Sequence, residues 1–261
     1  RSFLINNSKI ALGISLISTT GFSIYENAHF TKFISNRPPK DKRTFKSEAV
    51  EEIIKEVKKS IVNPELAWMF ENCYPNTLDT TVDFEVIDGK PDSFVITGDI
   101  DAMWLRDSTA QVWPYMPLIN KDPKIKNLIL GLINRQVKCV LTDPYANAFF
   151  KDLTRISKWS TDIPTPKPGV HERKWEIDSL CYFIRLSYHY YKISGDKSFM
   201  DSDWDKAAKL VVETFRAEQR EDGTSPYSFS REHSMTVGLA QFYGKGAPTK
   251  YTGLIHSIFR P

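Results

Sequence analysis

Cysteine is scarce in this sequence and nowhere paired. Cys73, Cys139 and Cys181 are the only three in 261 residues, and no Cys-x-x-Cys spacing occurs. A disulfide framework and a thiolate zinc site are therefore excluded as organising features, and all three cysteines read as reduced or buried thiols. Net charge is nearly absent too: 35 basic and 32 acidic residues leave +3, and the one short basic run is Lys40-Asp-Lys-Arg43. A nucleic-acid surface needs clustered Lys and Arg to displace counterions, so no nucleic-acid partner is expected. Also missing are a Gly-x-Ser-x-Gly elbow, a Gly-rich phosphate loop and a His-Glu-x-x-His pair. The common serine-hydrolase, nucleotide-binding and zinc-protease templates fall with them, and no cofactor is expected.

No stable membrane span is expected either. The uncharged stretch Ile10 to Tyr25, preceded by Lys9, suits the apolar core of an export signal better than a spanning helix. Arg1-Ser-Phe-Leu4 resembles the second half of a twin-arginine signal, so the chain reads as exported and truncated at its start. Residues 1–28 are assigned to this signal-like segment and 29–44 to a polar, proline-bearing linker.

What is present supports a folded body from residue 45: 41% of the residues are hydrophobic and 13% aromatic, enough for a real core. Val50, Ile53, Ile54, Val57 and Ile61 form one stripe at helical spacing. Asp122 to Leu141 is apolar on two sides, which predicts a sandwiched helix. Ile177, Leu180, Cys181, Ile184, Tyr188 and Tyr191 make a third stripe closed by Gly195; Trp204, Ala207, Ala208, Val211 and Phe215 make a fourth closed near Gly223. Thr81 to Ile87, Asp88-Gly89 and Ser93 to Thr97 predict a β-hairpin, read as a decoration. The class is all-α, and the pattern fits both a helical barrel and a stack of α-hairpins.

Two segments furnish polar chemistry. Gly98-Asp-Ile-Asp-Ala-Met-Trp-Leu-Arg-Asp-Ser108 has a glycine for a sharp turn, and Ser108 with Gln111 reads as a capping box for a helix starting near Thr109. Asp107 then serves as a helix-start residue, Arg106 as its ion-pair partner and Trp104 as core. Alternatively, Arg106 and Asp107 are held rigid to hydrogen-bond ring hydroxyls, with Trp104 as an apolar platform for a sugar face. His171-Glu-Arg-Lys-Trp-Glu-Ile-Asp178 again joins carboxylates to a tryptophan before a helix; Glu176 and Asp178 suit its first turn, whereas Glu172 lies outside it. His171, Glu172 and Asp178 match no metal-ligand spacing, so no metal is expected. Asp143-Pro-Tyr-Ala-Asn-Ala-Phe149 contributes an amide and aromatics, and Tyr251 to Pro261 contributes His256 and Arg260.

Taken in order, Gly98–Ser108 with Gln111-Val112 and Pro114-Tyr115, Asp143–Phe149, Glu172-Arg-Lys with Glu176–Tyr182, and Thr252-Gly-Leu-Ile with Phe259-Arg-Pro261 resemble glycoside hydrolase family 125, the exo-α-1,6-mannosidases. The resemblance implies an (α/α)6 barrel, incomplete within residues 45–261, that removes terminal α-1,6-linked mannose from an oligosaccharide or N-glycan by metal-independent, inverting hydrolysis. It places Trp104, Arg106, Asp107, His171, Glu172, Trp175, Asp178, His256 and Arg260 in substrate binding. Inversion needs an acid and a base roughly 6.5–9.5 Å apart across the scissile bond, and the resemblance puts both beyond Pro261. Three departures accompany it: Asp101 where the family commonly has Pro, Trp113 where a basic residue is usual, and a proline-rich Lys151–Val170. The rival readings are another (α/α)6 carbohydrate enzyme, such as a lyase or glucoside hydrolase, and a non-catalytic glycan-binding protein.

Overall fold

The longest helix is the one the two-sided apolar pattern predicts. Pro123–Thr142 starts with proline at its first position and Asp122 as N-cap, whose carboxylate accepts from the Lys124 N–H at 2.8 Å. Ile125, Leu128, Ile129, Leu132, Ile133, Cys139 and Val140 on this helix are fully enclosed. The computed structural model describes residues 33–222, 225–227, 229, 231 and 251–256; the signal-like segment 1–28 and Arg260 lie outside them. Ser35–Pro261 forms one unit holding every element below.

In chain order the described elements are α1 (Glu48–Ser60), α2 (Pro64–Cys73), α3 (Asn76–Thr80), β1 (Val82–Ile87), β2 (Lys90–Val95), β3 (Met103–Trp104), α4 (Leu105–Val112), α5 (Pro123–Thr142), β4 (Ala148–Phe149), β5 (Val170–Glu172), α6 (Ile177–Ser194) and α7 (Ser202–Ala217). A 3-10 turn, Trp113–Leu118, joins α4 to α5. The fold is mostly helical with two small antiparallel sheets, β1-β2 and β3-β4-β5. α6 ends on Gly195 at φ 68°, the left-handed position expected of a C-terminal glycine. α5 packs against α6 and α7, and α4 lies along α6.

Two expectations are corrected here. The β1-β2 hairpin turns at Asp88-Gly89, both at positive φ, as its sequence predicts. Its return strand nevertheless starts at Lys90, and it is no decoration. Ser93, Phe94 and Val95 are enclosed against α5. The Ser93 hydroxyl donates to the Leu128 carbonyl at 2.7 Å, and Arg135 of α5 meets Asp92 at 2.6 Å in a pair withdrawn from solvent. The polar stretch taken as linker is also tied down from Ser35 onward. Arg37 bonds Asp79 at 2.7 Å and Glu51 at 2.6 Å, and Lys40–Lys42 forms a 3-10 turn. Its polarity belongs to ion pairs rather than to a solvated tether.

Gly131 is where α5 touches β2. A Cβ added there would stand 2.5 Å from Ser93 Oγ and 3.0 Å from the Asp92 main chain. The helix-propensity gain of about 1 kcal/mol for Gly→Ala is outweighed by overpacking, which costs about 1–3 kcal/mol in a tight core. Gly131→Ala is therefore expected to lower the melting temperature by several degrees, as read by circular dichroism; an equal or higher value would show that α5 can back away from the strand.

Candidate functional site

The site is organised by the β3-β4-β5 sheet. Trp104 pairs with Ala148, and Ala148 with Glu172, and an irregularity in the β4-β5 register goes with the His171 ring, rather than Glu172, lying against Trp104. The loop leading into β3 is tight: Gly98 sits at φ 61°, and the Thr97 N–H reaches the Ala102 carbonyl at 2.9 Å. Asn147, just before β4, commits every polar group it has. Its N–H donates to the Glu172 carbonyl at 3.2 Å and its own carbonyl accepts from Leu105 N–H at 3.2 Å. Its amide donates to Glu172 Oε2 at 3.3 Å and accepts from the Lys174 N–H at 3.3 Å.

That bond from Leu105 corrects the expected capping box. α4 begins at Leu105, four residues before Thr109, with Trp104 as an N-cap that makes no side-chain bond. Ser108 turns its hydroxyl back to the Leu105 carbonyl at 3.2 Å, and Gln111 donates to the Ile96 carbonyl at 3.1 Å. The sheet supplies the acceptor that a capping side chain would otherwise provide.

Because α4 starts early, Arg106 and Asp107 lie in its first turn, facing the start of α6. Arg106 Nη1 donates to Asp178 at 2.8 Å and to Glu176 at 3.2 Å, while Nη2 approaches Asp107 at 3.3 Å. The Asp107 contact is close enough for an ion pair but out of line for a hydrogen bond, leaving Asp107 Oδ2 without a hydrogen-bond partner. Asp178 Oδ1 and Ser179 Oγ, beside it, are likewise enclosed and without one. Asp178, then burial opposing it, then Asp107 and Glu176 set the Arg106 guanidinium above its ordinary value. One cation thus faces three carboxylates, with acceptor oxygens to spare. Such a cluster suits a neutral ligand rich in hydroxyl donors.

His171 and Glu172 stand on β5. The His171 ring lies between Trp104, at 5.2 Å, and Phe150, at 5.1 Å. Burial pushes its imidazole below the ordinary value, with Lys158, Arg155 and Arg231 adding and Glu172 opposing. Its Nδ1 is enclosed without a partner. Glu172 is spent on protein groups: Oε1 meets Lys174 at 2.9 Å and Arg231 at 3.3 Å. Arg231 in turn binds Asp162 through Nε at 2.6 Å and lies 3.7 Å over Trp159. Burial alone would push the Glu172 carboxyl up, but Lys174, Arg231 and Asn147 together hold it below its ordinary 4.5.

Trp175 is placed in the core at 1% exposure. Its indole N–H donates to the His256 carbonyl at 2.6 Å and its main-chain N–H to the Tyr227 hydroxyl at 2.9 Å. His256 is held through its main chain, its N–H reaching the Glu218 carbonyl at 2.7 Å. Arg106, Asp107 and Asp178 therefore converge, Trp104 and His171 adjoin on the same sheet, and Trp175 and His256 form a separate structural contact. Sequence reasoning missed Glu176 as an Arg106 partner; its signal was a Glu at an N-cap position, where Ser, Thr, Asp and Asn are favoured. Arg231 and Asp162 gave no signal at all. Among the described residues no group of three or more His, Cys, Asp or Glu is arranged to hold a metal ion, and no helix is long and apolar enough to cross a membrane.

Since Glu172 titrates below its unfolded value, its stabilisation is complete above about pH 4.5 and is lost as pH falls through the lower folded value. Glu172→Gln is expected to lose about 1–3 kcal/mol at pH 7 and to flatten the acid limb of the stability curve in urea titrations from pH 7 to 3. An unchanged acid limb would show that the carboxylate contributes nothing through its charge.

The sequence pattern of the metal-independent α-mannosidases (GH125) matches residues 63–261. A Schizosaccharomyces pombe relative, the meiotically up-regulated gene 157 protein, is 38% identical over 250 residues, covering 86% of this chain and 48% of its own length. A Streptococcus pneumoniae structure, described as a metal-independent α-mannosidase in a non-productive substrate complex with α-1,6-mannobiose, superposes with a TM-score of 0.73 at 38% identity. The match covers 82% of this chain and 50% of that one, so the chain spans about half the length of the proteins it resembles. With a match over most of its length and these shared elements, the chain belongs to the metal-independent α-mannosidase family.

Proposed function

We propose that this chain carries the sugar-binding part of an exported, exo-acting glycoside hydrolase that removes terminal α-1,6-linked mannose with inversion, within an (α/α)6 barrel. The observation that carries the reading is the Arg106 cluster at two helix starts, with unspent oxygens on Asp107 and Asp178, in a chain 38% identical to a protein solved with α-1,6-mannobiose. In this reading Asp107 and Asp178 accept from sugar hydroxyls, Arg106 donates to a sugar oxygen, and Trp104 offers a ring face. Glu172, ionised at neutral pH and committed to Lys174 and Arg231, is a poor general acid and acts by holding β5.

Proton NMR of α-1,6-mannobiose incubated with the full-length protein tests the reaction. β-Mannose appearing before mutarotation supports inverting hydrolysis, α-mannose first would overturn inversion, and binding without cleavage would favour a glycan-binding protein. Asp107→Asn and Asp178→Asn are each expected to raise KM about 10- to 100-fold, the equivalent of a charge-assisted hydrogen bond. KM values within twofold of the parent would remove these residues from the sugar site.

A further inference from the structure

We propose that Glu176 is a positioning residue: it sets the guanidinium of Arg106 so that Asp107 and Asp178 each keep an oxygen unspent for the ligand. The inference rests on the glycoside reading of the same site.

Helix capping does not account for a glutamate at this position. Glu176 is the N-cap of α6, yet its side chain makes no capping bond. The capping is done by its main chain, whose carbonyl accepts from the Ser179 N–H at 3.0 Å. Its carboxylate, 7% exposed, reaches Arg106 Nη1 at 3.2 Å across 70 residues of sequence. Burying a carboxylate is costly unless it is paired, and the Arg106 guanidinium is one of the partners that offset this cost.

A guanidinium is a rigid planar fork, so fixing one arm fixes the others. Nη1 has two hydrogens. Glu176 takes one from the enclosed side; Asp178 takes the other at 2.8 Å, with its own side chain 37% exposed. Nη2 is thereby left beside Asp107 at 3.3 Å, out of hydrogen-bond alignment. Without Glu176 the fork is free to rotate into a two-pronged pair with Asp178 or Asp107, the geometry that Arg and carboxylate prefer. That rotation would consume Asp178 Oδ1 or Asp107 Oδ2, the two oxygens now lacking a hydrogen-bond partner. On this account Glu176 touches no sugar and acts through Arg106.

The test uses Glu176→Gln and Glu176→Ala in the full-length protein. KM and kcat are measured on α-1,6-mannobiose, and the melting temperature without sugar. Glu176→Gln, which keeps size and one acceptor, is expected to raise KM about 3- to 10-fold, and Glu176→Ala about 10- to 100-fold, with kcat changing less. Asp178→Asn should cost less in the Glu176→Ala background than alone, because the two act through one arginine. KM unchanged in Glu176→Gln, or additive losses in the double variant, would overturn the proposal. Arginine side-chain 15N–1H NMR gives a readout that needs no substrate: the Arg106 signals must shift in Glu176→Gln, and unshifted signals sink the positioning role. A parent protein inert toward the disaccharide would instead defeat the glycoside reading while leaving that NMR outcome decisive for Glu176.

Discussion

The site depends on one buried amide. Asn147 joins the first residue of α4 to the last of β5 through its main chain, and holds the Glu172 carboxylate and the Lys174 N–H with its side chain. α4 carries Arg106 and Asp107, while β5 leads within a few residues to Glu176 and Asp178. The two helix starts that face each other across the site are thus referenced to a common point, and strands of two or three residues suffice as scaffold. Every group of Asn147 is enclosed and satisfied, so losing any one bond leaves a buried polar atom unpaired. Such networks are stiff because partial versions of them are costly.

Charge is distributed differently in the scaffold and in the site. Beside β5, Asp162 and Glu172 face Arg231 and Lys174, two charges of each sign. Beside the β1-β2 hairpin, Asp83, Glu85 and Asp92 face Arg135, Lys138 and Lys151, three charges of each sign. These clusters close on themselves. Around Arg106 the balance fails: Asp107, Glu176 and Asp178 share a single cation. Excess carboxylate in a half-enclosed place raises the free energy of the empty site, and hydroxyl donors from a ligand would lower it. The same imbalance disfavours an anionic ligand at this cluster.

Much of the fold was legible because long helices and a tight hairpin write strong periods. The α1, α5, α6 and α7 stripes and the Asp88-Gly89 turn all correspond to described elements. The β3-β4-β5 sheet was not legible, since two-residue strands hold no alternation to detect. Misreading Ser108 and Gln111 as a cap has the same root: the acceptor for the start of α4 comes from Asn147, 42 positions later, and no local rule contains it. In the site, the Arg106-Asp107 pair and Asp178 stood out by type and position. Trp175 stood out equally, yet its indole is spent on the His256 carbonyl. Sequence marks an aromatic beside carboxylates without saying which way it points.

Asp101 and Trp113, expected from the sequence to be unusual, make contacts at the rim. Asp101 pairs with Arg155, whose guanidinium lies 4.1 Å over Phe150. Phe150 meets His171 edge-on, and His171 adjoins Trp104. The Asp101 carboxylate therefore reaches the site through a chain of rings, holding the proline-bearing loop after β4 against the sheet. Trp113, at the far end of α4, is covered by Arg185 at 4.0 Å and meets His189 at 5.0 Å, both on α6. α4 and α6 thus touch at their starts through Arg106 and again further along through Trp113, which fixes their parallel course. Asp101 and Trp113 thus secure the frame around the cluster, and Arg106, Asp107, Glu176 and Asp178 form the cluster itself.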